Sequence, residues 1–332
     1  MNIKSLLLGS AAALAAVSGA QAADAIVAAE PEPMEYVRVC DAFGTGYFYI
    51  PGTETCLKIG GEVRATVYVN ETESADGDDW DSEVRARVVL ETKSDSEIGT
   101  IGSYIRLQAS QGADLGRESI GIDQAYITVG GFKVGRSLTW ADDWGLAGES
   151  DAFFGNARFN TANYTYTSDA FTAGIGIDDL SDVYTGNEVG MEAVVSASLG
   201  AATVVVNGVY DFADEEGAIA GVVTADLGPG TLGIAGAWAS GYSTGYDFEA
   251  EWAVGAAYTF KATEKLSITP QVFYYGDVAD AGAFTSVDAW AADLYVEYAL
   301  AAGLTASADV RYTDLDGGDS NWDGFVRLTR SF

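Results

Sequence analysis

Two groups of charged side chains could act together on a dissolved ion or a polar solute. The first group is a series of arginines in the first half of the chain: Arg64, Arg85, Arg87, Arg106, Arg136 and Arg158. The second group is a short acidic stretch that follows them: Asp142, Asp143, Glu149 and Asp151. Because a guanidinium is rigid and always charged, a row of arginines opposite carboxylates would create a transverse electric field. The alternative is that the arginines are scattered and pair locally, with Glu62 and Glu91.

Catalytic chemistry has little support in this composition. The chain contains no histidine, which excludes Ser-His-Asp and Cys-His nucleophiles as well as HExxH zinc sites. Carboxylate-pair catalysis stays open on composition alone. The segment from Asp314 to Asp319 resembles the start of a calcium loop but lacks the glutamate at the twelfth position. We therefore predict no enzyme, no metal site and no cofactor.

The charge balance is strongly acidic, with 49 acidic residues against 17 basic ones. A partner such as nucleic acid or an anionic lipid surface would require the opposite sign. Acids concentrate in two stretches predicted to be outer loops, residues 70–81 and 314–323. These loops could hold divalent cations that bridge to lipopolysaccharide phosphates, or they could simply be solvated. Since loop acids outnumber the arginines, we expect a weak preference for cations.

The first 22 residues have the features of a secretory signal peptide. Lys4 is followed by an apolar stretch over residues 6–17 and by the cleavage site Ala20-Gln21-Ala22. No later run of 18 apolar residues could form a transmembrane helix. In an exported chain, the closely spaced pair Cys40 and Cys56 indicates a disulfide, with two unpaired thiols as the alternative.

From residue 57 onward the hydrophobic pattern has a period of two, which predicts β-strands with one apolar and one polar face. Sixteen strands are predicted, at 57–69, 82–93, 98–110, 119–130, 132–138, 157–167, 170–178, 188–199, 201–212, 216–227, 230–240, 248–260, 265–276, 286–299, 303–314 and 321–332. Most are long enough for a tilted strand to cross a bilayer. Aromatic residues near strand ends, such as Trp290 and Tyr298, are typical of the girdles of membrane barrels.

Short and long connections alternate along these strands, as in an antiparallel barrel with short periplasmic turns and long extracellular loops. A closed barrel also satisfies every backbone hydrogen bond in lipid. We predict an all-β, 16-stranded antiparallel transmembrane β-barrel over residues 57–332, preceded by a periplasmic-side entry segment at 23–56. The longest loop, at 138–156, contains the acidic stretch. The terminal Phe332 resembles an assembly signal of outer-membrane barrels, although Arg330 departs from the usual apolar residue two positions earlier.

Three stretches resemble the alphaproteobacterial porins of the Brucella and rhizobial type: residues 1–25, residues 35–42 (EYVRVCDA) and residues 46–57 (GYFYIPGTETCL). The ending Arg330-Ser331-Phe332 is also similar. The resemblance implies a homotrimeric outer-membrane porin for passive diffusion of small hydrophilic solutes, with an inward-folded third loop. It further implies a Cys40–Cys56 disulfide near the periplasmic entry, while the terminal aromatic Phe332 predicts recognition by the barrel-assembly machinery. A substrate-specific channel, marked by lumen aromatics, and a non-channel surface protein with a blocked lumen are the alternatives.

Overall fold

The computed structural model describes residues 38–70, 79–112, 116–117, 120–143, 146–148 and 153–332. Residues Val39–Phe332 form one compact unit. The predicted signal peptide and residues 23–37 of the predicted entry segment lie outside the described residues. In the described part, no helix has the length and apolar character needed to cross a bilayer. The same part contains no cluster of three or more acidic or cysteine side chains suited to a metal ion.

Sixteen long strands form the barrel, and they follow one another around it in chain order. They are β1 Cys56–Asn70, β2 Trp80–Ser94, β3 Ile101–Gly112, β4 Gly121–Val129, β5 Phe132–Leu138, β6 Arg158–Thr167, β7 Phe171–Asp179, β8 Val189–Leu199, β9 Ala202–Asp211, β10 Glu216–Leu227, β11 Gly230–Ala239, β12 Ala250–Lys261, β13 Leu266–Asp280, β14 Ala289–Ala301, β15 Leu304–Leu315 and β16 Ser320–Ser331. Each strand pairs antiparallel with the next, and β16 pairs with β1, which closes the barrel. The prediction of sixteen strands is confirmed, and each boundary lies within four residues of its expected place.

The two faces of each strand differ in the way that the period of two predicts. On β14, the outward Leu294 is 47% exposed, whereas the inward Asp293 is 6% exposed. On β16, the outward Val326 is 64% exposed and the inward Arg327 is 9% exposed. An apolar outer face and a polar lumen face are what lipid on one side and water on the other require.

The outer face also carries a row of aromatic side chains, one on each of six consecutive strands. The row consists of Trp238, Trp252, Tyr274, Trp290, Tyr312 and Trp322. Neighbouring rings touch: Trp252 stacks on Tyr274 with 5.4 Å between centroids, and Tyr312 lies 4.9 Å from Trp322. Such a row fits the aromatic girdle expected at a membrane–water interface.

The two ends of the barrel have different connections. At one end, here called the turn end, the seven connections contain two to six residues, and β1 begins there while β16 ends there. Glycines with positive φ, such as Gly130 and Gly228, form the tightest of these turns. The connections at the other end, the loop end, are mostly longer, although 212–215 and 316–319 contain four residues each.

The predicted acidic loop over 314–323 is shorter in the structure. Asp314 belongs to β15 and Asp323 belongs to β16, so only 316–319 connect the two strands. The Asp323 carboxylate is 2.8 Å from Nη2 of Arg311 on the neighbouring strand. The paired part of β15 and β16 thus extends into the stretch that the acidic composition had assigned to a loop. In the other predicted acidic loop, residues 71–78 lie outside the described residues.

One side of the lumen contains a buried apolar cluster, to which strands β6 and β9–β13 and the loop-end segments contribute. Phe153, Phe159, Tyr246, Phe248 and Phe273 are its largest members, each at most 1% exposed. Phe248 precedes β12 and turns into the lumen, where it packs against Phe153 and Phe154.

Candidate functional site

One glutamate on β1 gathers three arginines on the lumen wall. Oε1 of Glu62 lies 3.1 Å from Nη2 of Arg85, 3.5 Å from Nη1 of Arg87 and 3.7 Å from Nη2 of Arg64. Arg87 also donates from Nε to Oε1 of Gln108 on β3, at 2.6 Å. Three guanidiniums against one carboxylate leave an excess of positive charge. The four charged side chains stay 18–24% exposed, so this charge faces the lumen water.

A second carboxylate, Asp123 on β4, binds the next two arginines. Arg106 forms a salt bridge with Asp123, and Nη1 of Arg158 lies 3.1 Å from its Oδ1. The strand is irregular at this point, because Arg106 pairs with Gln124 whereas Leu107 pairs with Ile122. The extra residue is Asp123, and bulges of this kind re-aim side chains. Both Asp123 and Gln124 are buried, at 9% and 6% exposure.

Arg136 does not belong to this wall, contrary to the prediction. It shares its register on β5 with Phe132 and Val134, which are 59% and 56% exposed on the outer face. Its guanidinium Nη1 lies 2.6 Å from Oδ2 of Asp182, a loop-end residue. The inward residues of this short strand include Ser137, which is 1% exposed. Strand alternation therefore excludes Arg136 from the lumen.

The longest loop begins with a short 3-10 helix, Trp140–Asp143, that is fixed to the opposite wall. Glu192 on β8 accepts a hydrogen bond from the backbone N–H of Trp140 at 2.9 Å. The other Glu192 oxygen accepts from Thr161 at 3.2 Å and from Asn163 at 3.0 Å. Asn207 on β9 donates to the Trp140 carbonyl at 2.7 Å. Both backbone groups of Trp140 are thereby satisfied by wall side chains.

Two glycines on the wall leave room for side chains of the loop. A Cβ on Gly174 of β7 would lie 2.5 Å from two ring carbons of Trp140, and one on Gly233 of β11 would lie 2.7 Å from Leu146. The wall thus needs glycine at both positions to seat the loop.

The far end of the same loop pairs with the segment that precedes β12. The Gly155 N–H donates to the Asp247 carbonyl at 2.8 Å, and the Glu249 N–H donates to the Phe153 carbonyl at 3.0 Å. The first end of the loop is therefore held by wall side chains and the far end by backbone hydrogen bonds, and the middle contacts the wall through Leu146.

Of the predicted loop acids, Asp142 is the one whose carboxyl is influenced by the wall arginines in the structure. Its side chain is exposed to the lumen, yet the surrounding wall removes it from bulk water, which raises its pKa above the usual range. Arg158, Arg106 and Arg87 oppose this rise because they favour the charged form. Asp143 is the last residue of the 3-10 helix. Glu149 and Asp151 lie outside the described residues.

Local pairing of the wall arginines is therefore present, and their charges also act on the loop carboxylate of Asp142. Glu62 pairs with wall arginines as the local alternative anticipated, while Glu91 instead accepts a hydrogen bond from Tyr47 at 2.7 Å. Sequence reasoning missed Asp123, Glu192 and Asn207 as site residues. Glu192 was visible as a carboxylate on the lumen register of β8, but its partner on a loop 52 residues away was not.

The chain has extensive similarity to known outer-membrane proteins. Residues 24–328 match the family model described as the porin subfamily. Outer membrane protein IIIA of Rhizobium leguminosarum bv. viciae is 42% identical over 348 residues, covering 98% of this chain and 93% of that protein. Porin Omp2a of Brucella suis biovar 1 is 36% identical over 384 residues, covering 100% of each.

Among solved structures, the trimer form of OmpT from Vibrio cholerae aligns with a TM-score of 0.64. It is 15% identical in sequence, the alignment covers 84% of this chain and 100% of that one, and the likeness concerns the fold alone. The family match and the full-length relatives, in contrast, define the family itself. The chain therefore belongs to the porin subfamily and is an outer-membrane channel protein with a closed β-barrel.

Proposed function

We propose that small hydrophilic solutes and ions diffuse passively through this barrel and that their passage is controlled where the 3-10 helix Trp140–Asp143 lies opposite the arginine wall. The observation that carries the proposal is the placement of the Asp142 carboxylate within range of the charges of Arg158, Arg106 and Arg87, which favour its ionised form. In this proposal, these charges face one another across a narrow part of the lumen. The proposed role is transport, without catalysis and without a cofactor.

The charges would act on solutes through the field between them. Five lumen arginines share two carboxylates, Glu62 and Asp123, so the wall is net positive, and the loop contributes negative charge. A polar solute can align its dipole with this field, whereas an apolar solute must displace ordered water and gains nothing in return. Fixed charges of both signs bind ions weakly, and weak binding allows rapid exit.

The sign of selectivity depends on the whole lumen and its mouths. We propose a weak cation preference, because acidic residues outnumber basic ones by 49 to 17 and several, such as Asp293 and Asp309, lie on the lumen register of β14 and β15. The measurement is the reversal potential of the purified protein in a planar bilayer under a potassium chloride gradient. A reversal potential of the anion-selective sign would overturn the preference.

The pore itself is tested by single-channel conductance. Steady, ohmic openings that occur in groups of three would support a trimeric diffusion pore. The trimer form described for Vibrio cholerae OmpT is consistent with a homotrimer here. If the correctly folded barrel gave no conductance, the proposal of passive diffusion would fall.

A substrate-specific channel is the second candidate, and lumen aromatics favour it. Tyr68, Phe325 and Tyr295 form a chain of ring contacts across β1, β16 and β14, at 6.3 and 6.5 Å. The Arg327 guanidinium lies 3.8 Å from the Phe325 ring centroid, and Phe325 is only 8% exposed, so its face is covered. Of these three rings, only those of Tyr68 and Tyr295 could contact a solute. Two separate rings do not form a continuous aromatic row, so the diffusion pore ranks first. Concentration-dependent block of the current by neutral oligosaccharides would reverse this ranking.

The partners we propose are outer-membrane lipid, lipopolysaccharide and the barrel-assembly machinery. Phe332 supports the last of these, since its ring is 63% exposed while its backbone exchanges two hydrogen bonds with Gly61, at 3.0 and 3.1 Å. The terminal aromatic is thus accessible although the barrel is closed. We expect Phe332→Ala to reduce the amount of barrel assembled in cells, measured against the total protein synthesised. Unchanged assembly would remove the proposed role of Phe332.

A further inference from the structure

The disulfide-linked segment before β1 folds over lumen-facing side chains at the turn end. Cys40 and Cys56 are joined by a disulfide, and both are at most 1% exposed. Between them, the Cys40 N–H donates to the Tyr47 carbonyl at 2.9 Å, and the short strand Phe48–Tyr49 pairs with the start of β1. The segment is therefore held at both ends and along its middle.

Tyr47 is the side chain that this segment inserts among the wall residues. Its hydroxyl donates to Oε2 of Glu91 on β2 at 2.7 Å. Its ring centroid lies 5.5 Å from Nζ of Lys93 and 5.8 Å from Nζ of Lys58. Lys58 shares the lumen register of β1 with Glu62, as Glu91 and Lys93 share that of β2 with Arg87. Tyr47 thus contacts three lumen-facing charged side chains on two strands.

We propose that the segment Cys40–Cys56 is a strap that narrows the turn-end mouth of the pore, and that Tyr47 is the residue that holds the strap in place there. This would be a second constriction, in series with the one at the Trp140–Asp143 helix. The inference rests on the proposed diffusion function.

Three properties of Tyr47 fit this role. The side chain is 5% exposed and hence fixed in one position. Burial, followed by the hydrogen bond to Glu91, raises the pKa of Tyr47 to about 12, so that the hydroxyl remains a donor at every physiological pH. The cation–π contacts of the ring with Lys93 and Lys58 restrict two otherwise flexible lysine side chains.

The disulfide explains why the strap stays in place. A covalent loop with a sequence separation of 16 residues has far fewer open conformations than a free segment. Without the bond, the contacts of Tyr47 would be the main tether between the segment and the lumen side chains. Loss of either the ring or the bond should therefore open the same mouth.

The test uses the purified full chain in planar bilayers, with neutral polyethylene glycols of graded size added to one side at a time. Tyr47→Ala and the double variant Cys40→Ser/Cys56→Ser should both admit larger polymers from the turn-end side, with no change from the loop-end side. Conductance should rise by at most about twofold, because two constrictions in series share the resistance. Tyr47→Phe, which keeps the ring, should retain the wild-type size limit.

The matched control is Tyr298→Ala, which removes an aromatic ring from the outer face at the turn end, where Tyr298 is 42% exposed. This variant should behave as the wild type. If Tyr47→Ala fails to fold, the double serine variant decides the question. A wild-type size limit in whichever of the two folds would overturn the strap. Absence of current through the wild type would instead overturn the diffusion function, so the two failures are distinguishable.

Discussion

The lumen has two unlike walls. Strands β1–β4 present arginines and carboxylates in partly exposed pairs around Glu62 and Asp123. Strands β9–β12 present small side chains, such as Ala220 and Ala253, that are nearly fully buried beneath inward-folded segments. The charged wall gives the solute its electrostatic environment, whereas the packed wall holds the loop in place. Selectivity and stability should therefore respond to substitutions in different halves of the barrel.

The largest effect should follow from a cavity in the packed half. Phe248→Ala removes a fully buried ring from among Phe153, Phe154 and Tyr246. Truncation of a buried phenylalanine costs about 3–5 kcal/mol of unfolding free energy. Equilibrium unfolding in urea, in lipid vesicles, measures this loss. Phe260→Ala, on the outer face of β12, is the control, and an equal loss in both variants would contradict the division between the walls.

A smaller loss is expected from the anchor of the loop. Glu192→Ala leaves the Trp140 N–H, Thr161 and Asn163 without their acceptor. Lumen water can replace part of the lost hydrogen bonding, so we expect a total cost of about 1–3 kcal/mol. Because the loop can then leave its seat, the open-channel current should become noisier as well as larger. Glu192→Gln keeps one acceptor and should restore a quiet channel; if it is as noisy as the alanine variant, hydrogen bonding is not the reason.

In the charged half, single substitutions should change selectivity and leave stability nearly constant. Arg85→Gln should shift the reversal potential toward cations, and Glu62→Gln should shift it toward anions. One unit charge about 8 Å from a permeating ion in water contributes about 0.5 kcal/mol. The shift should shrink at high salt, where screening shortens the range of the charge.

Arg136→Gln provides the matched control for these two variants. Arg136 lies on the outer register and pairs with Asp182, so its loss should leave the reversal potential unchanged. A shift as large as that of Arg85→Gln would mean that Arg136 belongs to the ion path.

The smallest effect concerns pH. Because the pKa of Asp142 is raised, this carboxyl takes up a proton at a higher pH than an ordinary aspartate does. Acidification through that range removes negative charge from the loop, so the cation preference should decrease as the pH falls. Reversal potentials recorded over a pH series should lose this step in Asp142→Asn. An identical pH profile in the variant would assign the step to another carboxyl.

Alternation along the chain predicted the barrel well because the faces of a strand meet different solvents over its whole length. The sixteen strands and their antiparallel order follow from that local rule. The rule fails where the backbone departs from regular pleating. It did not identify Asp123, since the bulge turns two consecutive residues, Asp123 and Gln124, into the lumen. It also does not describe Phe248, which lies before β12 and packs in the buried cluster of the lumen.

The candidate site was predicted in part. The arginines near Glu62 lie on the lumen register, and the charge of one of them, Arg87, acts on Asp142, whereas Arg136 lies on the outer register. The anchors Glu192 and Asn207 bind a loop that is 52 and 67 residues distant in sequence. Contacts at such separations depend on how the loop folds, and no local pattern encodes them.

The close approach of the loop to Gly174 and Gly233 has a consequence for how the width of the pore can change. Since the wall glycines accommodate Trp140 and Leu146, a methyl group added to either strand would push the loop toward the lumen axis. The width of the channel is thus adjustable from residues that no solute touches. For engineering, the loop and the two wall glycines form one transferable unit. A loop grafted alone onto another barrel would lack the glycines that accommodate Trp140 and Leu146.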